Sequence, residues 1–356
     1  MPCTLIDIAK KAGFSVSTVS RVLHDDTGKY KISEETKQAI RAAAEQLGYT
    51  PNKLARGLRL QKSHQIGVIV PDVSNPFFAT MVKSVSKAAR KAGYSILVSD
   101  ADDDSGVEAD SLQALLENRV DGLLIAAVGQ QDAHIRDLCR SRTPLVMLDR
   151  WAEDLEADAI SVDNVKGAFL ATQHLLREGH RRIAFVQGVH GTNANDGRLQ
   201  GFLQAMKAFD VPVQERYVVG DDFGTLNGYI ETKSLLQLTE PPTAIFAAGD
   251  LIALGTLQAL KEQGTAVPKQ VSVVTFDDPS FASYLSPPLT AVEQPIELMG
   301  EMGVKLLVRR IHTPEAEFKH VLLEPRLIIR ESVARLTQLF DFKARSADDS
   351  PPSAKE

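Results

Sequence analysis

The sequence predicts a small all-α helix-turn-helix head followed by an α/β body of two doubly wound parallel-sheet lobes. Three observations predict it. The first sixty residues have helical periodicity, the body alternates short β-rich runs with helical runs, and that alternation comes in two series. A chain of 356 residues suits two or three domains. Residues 1–62 hold 11 Lys and Arg against 6 Asp and Glu, a net of +5, which leaves −11 on the rest of a chain whose total is −6. A basic head on an acidic body places a phosphate-bearing partner at the head.

Within the head, TLIDIAKKAG reads as a short helix with Leu5, Ile8, Ala9 and Ala12 on one face. Gly13 breaks it, and Ser15 caps a second helix over Val16–Leu23 that buries Val19 and Val22 and exposes Ser17, Ser20 and Arg21. Ala9, Gly13 and Val19 have the spacing a helix-turn-helix needs: Ala lets the helices approach, Gly takes the bend and Val fills the angle. A third helix starts at Ser33, carries Glu34 and Glu35 in its first turn, presents Ala39, Ile40, Ala43 and Leu47 inward, and ends at Gly48. In such a unit the second helix enters the major groove. Val16 can meet a thymine methyl and Arg21 can donate twice to guanine, with Ser17 beside them. The hydroxyls of Ser15, Thr18 and Ser20 suit phosphate oxygens, and Thr4 at the start of the first helix joins this set. The alternative is a plain three-helix domain with a solvated polar face.

In the body, the predicted strands are Gln65–Val70, Tyr94–Ser99, Val120–Ala126 and Leu145–Leu148, then Arg182–Val186, Tyr217–Val219, Ala244–Ala247 and Val271–Phe276. Between them lie helices at Phe78–Lys91, Gly106–Glu117, Lys166–Glu178, Leu199–Phe209 and Leu251–Gln263. Asp163-Asn164 and Glu293-Gln294-Pro295 read as crossings between the lobes. Ligands of open α/β sheets sit at the carboxyl ends of strands, so two facing lobes set those ends across one cleft. The candidates there are Asn75, Phe77 and Phe78 after the first strand, Asp149, Arg150 and Trp151 after the fourth, and Asp163 at the crossing. Thr192, Arg198, Phe223, Asp250 and Asp277 follow in the second series. Asp and Arg are bidentate partners for vicinal hydroxyls, and an aromatic ring can stack on a sugar face. Asp250 has a competing role as a helix cap, and Phe78 and Phe202 as core.

TLIDIAKKAGFSVSTVSRVL, followed by ISEETKQAIRAAAEQLGYTPNKLARGLRLQKSHQIGVIVPD, resembles the start of the lactose-repressor/galactose-repressor (LacI/GalR) family, and the resemblance runs to about Val333. DIAKKAG, STVSRVL, LGYTPN and ARGLR stand in order at family spacing. The resemblance implies a body like the periplasmic sugar-binding proteins, and a hinge helix over residues 51–62 that forms on operator DNA. It implies that Leu58, with Asn52, Ala55 and Arg59 nearby, wedges into the minor groove, where an apolar side chain unstacks a base step. It also places Arg198 and Asp277 at effector-contacting positions. One departure is the longer loop His24–Lys31, with His24 where the family has Asn and with Asp25 and Asp26 that phosphate would repel.

The domain map expected is 1–50 helix-turn-helix, 51–62 hinge, 63–163 with 294–322 as one lobe, 164–293 with 323–340 as the other, and 341–356 a disordered polar tail. The implied function is a homodimeric repressor of carbohydrate-utilisation genes that binds near-palindromic operator DNA under control of a sugar, sugar acid or related effector. Its place is the bacterial cytoplasm and nucleoid. MPCTLIDIAKKAGFS has no apolar stretch of signal-peptide length, and Cys3 and Cys139 make no disulfide framework or metal spacing. No nucleotide-binding, metalloprotease or nucleophile-elbow motif occurs, so no enzyme, cofactor, metal or membrane role is expected. No heptad repeat favours a tetramer over a dimer. The rival readings are a purine-responsive corepressor, a sugar-binding transport or sensory protein, and an enzyme with a DNA-binding head.

Overall fold

The structure is a computed structural model that describes residues 3–23, 32–49, 62–129, 133–141, 143–151 and 155–336. They fall in two compact units, Met1–Ser63 and His64–Glu356. The hinge segment with Asn52, Ala55, Leu58 and Arg59, the loop His24–Lys31 and the tail 341–356 lie outside the described residues.

The first unit contains helices α1 (Leu5–Ala12), α2 (Val16–Leu23) and α3 (Glu34–Gln46). Thr4 and Asp7 form a reciprocal capping box on α1. Gly13 then turns the chain at φ +73°, a left-handed conformation that a side chain would resist. Ser15 Oγ accepts from Thr18 N at 3.2 Å to start α2, and Ser33 caps α3 in the same way. Ile8, Ala9, Val19, Val22, Ile40, Ala43 and Ala44 close the core. Ala39, expected inside, is exposed, and Ala44 replaces it. The helical period sets 40, 43, 44 and 47 on one stripe, whereas 39 sits roughly 100° round from 40. Ser20 and Arg21, expected exposed, are half-buried.

The second unit holds two six-stranded sheets. The first is built from β1 (Gln65–Val70), β2 (Ser95–Asp100), β3 (Gly122–Ile125), β4 (Leu145–Leu148), β5 (Asp158–Val162) and β11 (His320–Leu323), in the order β11-β5-β4-β3-β1-β2. All its pairings are parallel. The second contains β6 (Ile183–Val186), β7 (Val218–Val219), β8 (Ala244–Ala247), β9 (Ser272–Phe276), β10 (Thr290–Glu293) and β12 (Arg326–Ile328), ordered β12-β10-β9-β8-β6-β7. Only β12 runs antiparallel to its neighbour. Four strands per lobe were expected. The two extra strands on each sheet come from runs of five residues or fewer, too short to announce themselves by period. The chain passes between sheets three times, at Asp163-Asn164, after Glu293, and at Glu324-Pro325.

Helices α4 (Pro76–Lys91), α5 (Ser105–Glu117), α6 (Ala133–Arg140) and α11 (Ile296–His312) flank the first sheet. Separate apolar clusters cover its two faces, one built on Ile66, Met81, Leu124 and Leu307, the other on Ile69, Leu112, Leu123 and Leu138. Helices α7 (Asn164–Arg177), α8 (Asn193–Ala208), α9 (Thr225–Leu236) and α10 (Asp250–Glu262) flank the second. Its core includes Phe185 stacked on Phe202 and edge-on to Phe246, both at 5.2 Å between centroids. Phe202 is therefore core.

Candidate functional site

On the first unit, the start of α2 carries an ordered hydroxyl group cluster. Ser15 Oγ lies 2.8 Å from both Ser17 Oγ and Thr18 Oγ1. Val16 beside them is 42% exposed, an apolar side chain next to these hydroxyls. Thr4 is exposed, and its hydroxyl donates to Asp7 Oδ2 at 2.7 Å. These are the features a groove-reading helix presents: short hydrogen-bonding groups, one apolar contact and a half-buried arginine, Arg21, on the same helix.

On the second unit, the carboxyl ends of the strands converge on a cavity of about 330 Å³, its open mouth included. Arg198, on the second turn of α8, is buried against the floor. Its Nη1 donates to the Ala248 carbonyl at 2.6 Å, its Nε to Asn164 Oδ1 at 2.9 Å, and its guanidinium lies 3.8 Å from the Phe276 ring centroid. Asp277 Oδ2 is 3.6 Å from Nη1, and Asp277 also accepts from Gln294 Nε2. Burial pushes the Asp277 carboxyl up, and Arg198 and Gln294 oppose that rise.

The opposite wall is Asp149 and Arg150. Arg150 Nη1 donates to the Val128 carbonyl at 3.0 Å and its guanidinium faces Phe223 at 4.8 Å and Phe78 at 5.4 Å. Burial raises the Asp149 carboxyl, with Arg198 and Arg150 pulling it back, and lowers Arg150. Asp250, the first residue of α10, has its carboxyl pushed up to about 7, by burial first and then by Asp277. Asp149 and Asp277 both have positive φ, +60° and +71°, a left-handed backbone that aspartate adopts more readily than most side chains. Phe223 reaches the cavity because position 188 is glycine: a Cβ there would stand 2.2 Å from its ring.

Of the twelve cleft residues expected, nine line this cavity: Asn75, Phe77, Phe78, Asp149, Arg150, Arg198, Phe223, Asp250 and Asp277. Phe78 serves as core as well. Trp151, Asp163 and Thr192 do not line it. Trp151 packs edge-on against His320 at 4.4 Å. Asp163 and Thr192 are N-caps of α7 and α8, accepting from Lys166 N and Asn195 N. Asp250 is not the cap of α10: Gly249 holds that position, and Asp250 Oδ1 accepts from the adjacent Leu251 N. Ala194 and Gly249 line the cavity unforeseen. Asn193 spans the lobes, donating to the Asp149 carbonyl at 3.1 Å and accepting from Trp151 N at 3.3 Å. No cluster that could hold a metal occurs among the described residues, and no helix there is long and apolar enough to cross a membrane.

Comparison with known proteins adds the kinship. Residues 4–52 match the family of bacterial regulatory proteins, lacI family, and residues 172–333 match a periplasmic binding protein-like domain. The ribose operon repressor of Haemophilus influenzae is 33% identical over 94% of this chain and 99% of its own. The HTH-type transcriptional repressor PurR of Pectobacterium carotovorum is 34% identical over 93% and 97%. Among solved structures, the lac repressor dimer bound to operator and the anti-inducer ONPF superposes with a TM-score of 0.84 at 28% identity, over 94% of this chain and all of the other.

Proposed function

Since the chain belongs to the lacI family of bacterial regulatory proteins, we propose that it is a homodimeric transcriptional repressor of carbohydrate-utilisation genes, working in the cytoplasm on near-palindromic operator DNA and controlled by a sugar or sugar derivative held in the cleft. The observation that carries it is a single chain with both a three-helix unit of the groove-reading type and a cavity lined by Asp149, Arg150, Arg198, Asp250 and Asp277. Val16, Ser17 and Arg21 read bases, while Thr4, Ser15, Thr18 and Ser20 position the helix on phosphates. Asn52, Ala55, Leu58 and Arg59 remain DNA contacts by sequence alone. Arg198 and Asp277 anchor the effector, and Phe77, Phe78 and Phe223 supply apolar faces. Trp151, Asp163 and Thr192 are left out of the effector set, because each is engaged elsewhere. A ligand that binds two lobe arrangements with different affinity shifts operator affinity by the same free energy.

The test is fluorescence anisotropy with a labelled palindromic fragment from the chain's own promoter region, titrated with sugars and with purine bases. Sugar-induced release supports an inducible repressor. A purine that tightens binding would move the protein to the corepressor class. Failure to prefer that fragment over random DNA would sink the repressor reading.

A further inference from the structure

We propose that Glu108 and His134, which do not line the cavity, are positioning residues of the cleft: together they hold the main chain of Val128 so that its carbonyl keeps Arg150 in place to meet a ligand. This rests on the cleft being the effector site.

Glu108 is an anomaly in its own helix. It falls in the first turn of α5, where a glutamate ordinarily faces water and answers the helix dipole. Asp104 already caps that helix, accepting from Gly106 N and Val107 N. Glu108 turns inward and is 1% exposed. Its Oε2 accepts from Val128 N at 2.8 Å, and its Oε1 lies 2.7 Å from His134 Nε2 on α6. Burial pushes the Glu108 carboxyl up, and Val128 N, His134 and Arg150 oppose that rise. An anion is costly to bury unless donors meet it. With the His134 proton on Nε2, each carboxylate oxygen has one.

Val128 is thereby clamped on both sides. Its N–H donates to Glu108, and its carbonyl accepts from Arg150 Nη1 at 3.0 Å. That is the one hydrogen bond Arg150 makes among the described residues, and Asp149 stands off at 4.0 Å. Arg198 differs, since the Ala248 carbonyl and Asn164 Oδ1 both fix it. The place of Arg150 therefore rests on Val128, and that of Val128, in the loop after β3, rests on Glu108. The Arg150 guanidinium in turn faces Phe223 of the other lobe at 4.8 Å. A line of contacts thus runs from α6 through α5 and the loop after β3 to a ring across the cleft.

The experiment uses the full chain with isotope-labelled arginine, and its first arm needs no ligand. Nuclear magnetic resonance signals of the two guanidinium groups are assigned with Arg150→Lys and Arg198→Lys. Glu108→Leu should shift or broaden the Arg150 signal and leave that of Arg198 in place. Glu108→Gln, which keeps an acceptor for Val128 N, should restore it. His134→Phe, at a half-buried position, should move the Arg150 signal by a smaller amount and serves if Glu108→Leu does not fold. The second arm is calorimetry with ribose, galactose, maltose and cellobiose. A sugar bound by the wild type should bind roughly tenfold more weakly to Glu108→Leu, about the worth of one hydrogen bond to a charged group. In an Arg150→Ala background Glu108→Leu should add no further loss. An Arg150 signal unmoved in the folded variants, or equal losses in both backgrounds, overturns the inference. A wild type that binds none of these sugars counts against the sugar-effector reading alone, and the arginine signals still decide whether Glu108 and His134 position Arg150.

Discussion

Replacing Asp250 by Asn should make the protein more stable at pH 8 and less responsive to its ligand. Asp250 is 4% exposed, its Oδ2 has no partner, and its carboxyl titrates at about 7 instead of 3.8. In the unfolded chain the group is ionised above about 4. Between these values the folded protein keeps a proton that the unfolded chain has lost, so this residue makes stability fall as pH rises from about 4 to about 7, and the cost is constant above that. Three units correspond to roughly 4 kcal/mol. Asn keeps the Oδ1 bond from Leu251 N and removes the ionisation. The gain is near zero at pH 4 and approaches its ceiling at pH 8, a rise in Tm of roughly 8 °C at about 2 °C per kcal/mol. Thermal melts of both proteins at pH 4, 6 and 8 check it. A variant less stable than wild type at pH 8, or an advantage that does not change with pH, would refute the argument that an ionised, unpartnered carboxylate is being held in the cleft.

The remaining expectations concern the same two sites. Gly188→Ala places a methyl 2.2 Å from the Phe223 ring and should drive that ring out of position, weakening ligand binding in calorimetry while operator affinity stays at the wild-type value. Arg198→Ala leaves Asp277 without its buried cation and should cost roughly 3–5 kcal/mol in urea unfolding; adding Asp277→Asn should restore much of the stability but not the ligand response. Arg21→Ala should reduce specific operator affinity more than non-specific DNA affinity, read as a fall in the ratio of the two in anisotropy titrations at fixed salt. Leu58→Ala, outside the described residues, should abolish operator bending in a gel assay and leave ligand binding unchanged.

What could be read in advance was local. The head needs only a helical period, a capping residue and one glycine, and each is present within a few positions of its partner, as Thr4 with Asp7 or Ser15 with Thr18. Strand β1 and its neighbours announce themselves as β-branched runs, and the residues after them fall at one end of a sheet by topology alone. That logic could not separate Asp149 from Asp163: both are polar residues beside strand ends, and the difference is whether the next helix begins close enough to take the carboxylate as its cap. Asn193 carried no signal and Gln294 only that of a crossing, because an amide that bonds a residue 17 or 44 positions away looks like any other polar side chain. Strands β11 and β12 lie at sheet edges with alternating or partial exposure, and their partners are more than thirty residues away.

The three passages between the lobes also have a consequence for how the protein is made. The first sheet stays unfinished until the ribosome has passed residue 323, since β11 is its edge strand and α11 covers the face that holds Ile66 and Leu124. The second is closed by β12 only a few residues later. Neither lobe can therefore complete itself as an early folding unit during synthesis, although the head, made first, can. Premature termination between the end of β10 and the last strands would release a chain with a finished DNA-reading unit attached to two incomplete sheets. Such a product would occupy DNA without answering to any ligand, and its exposed strand edges would make it a substrate for chaperones and proteases.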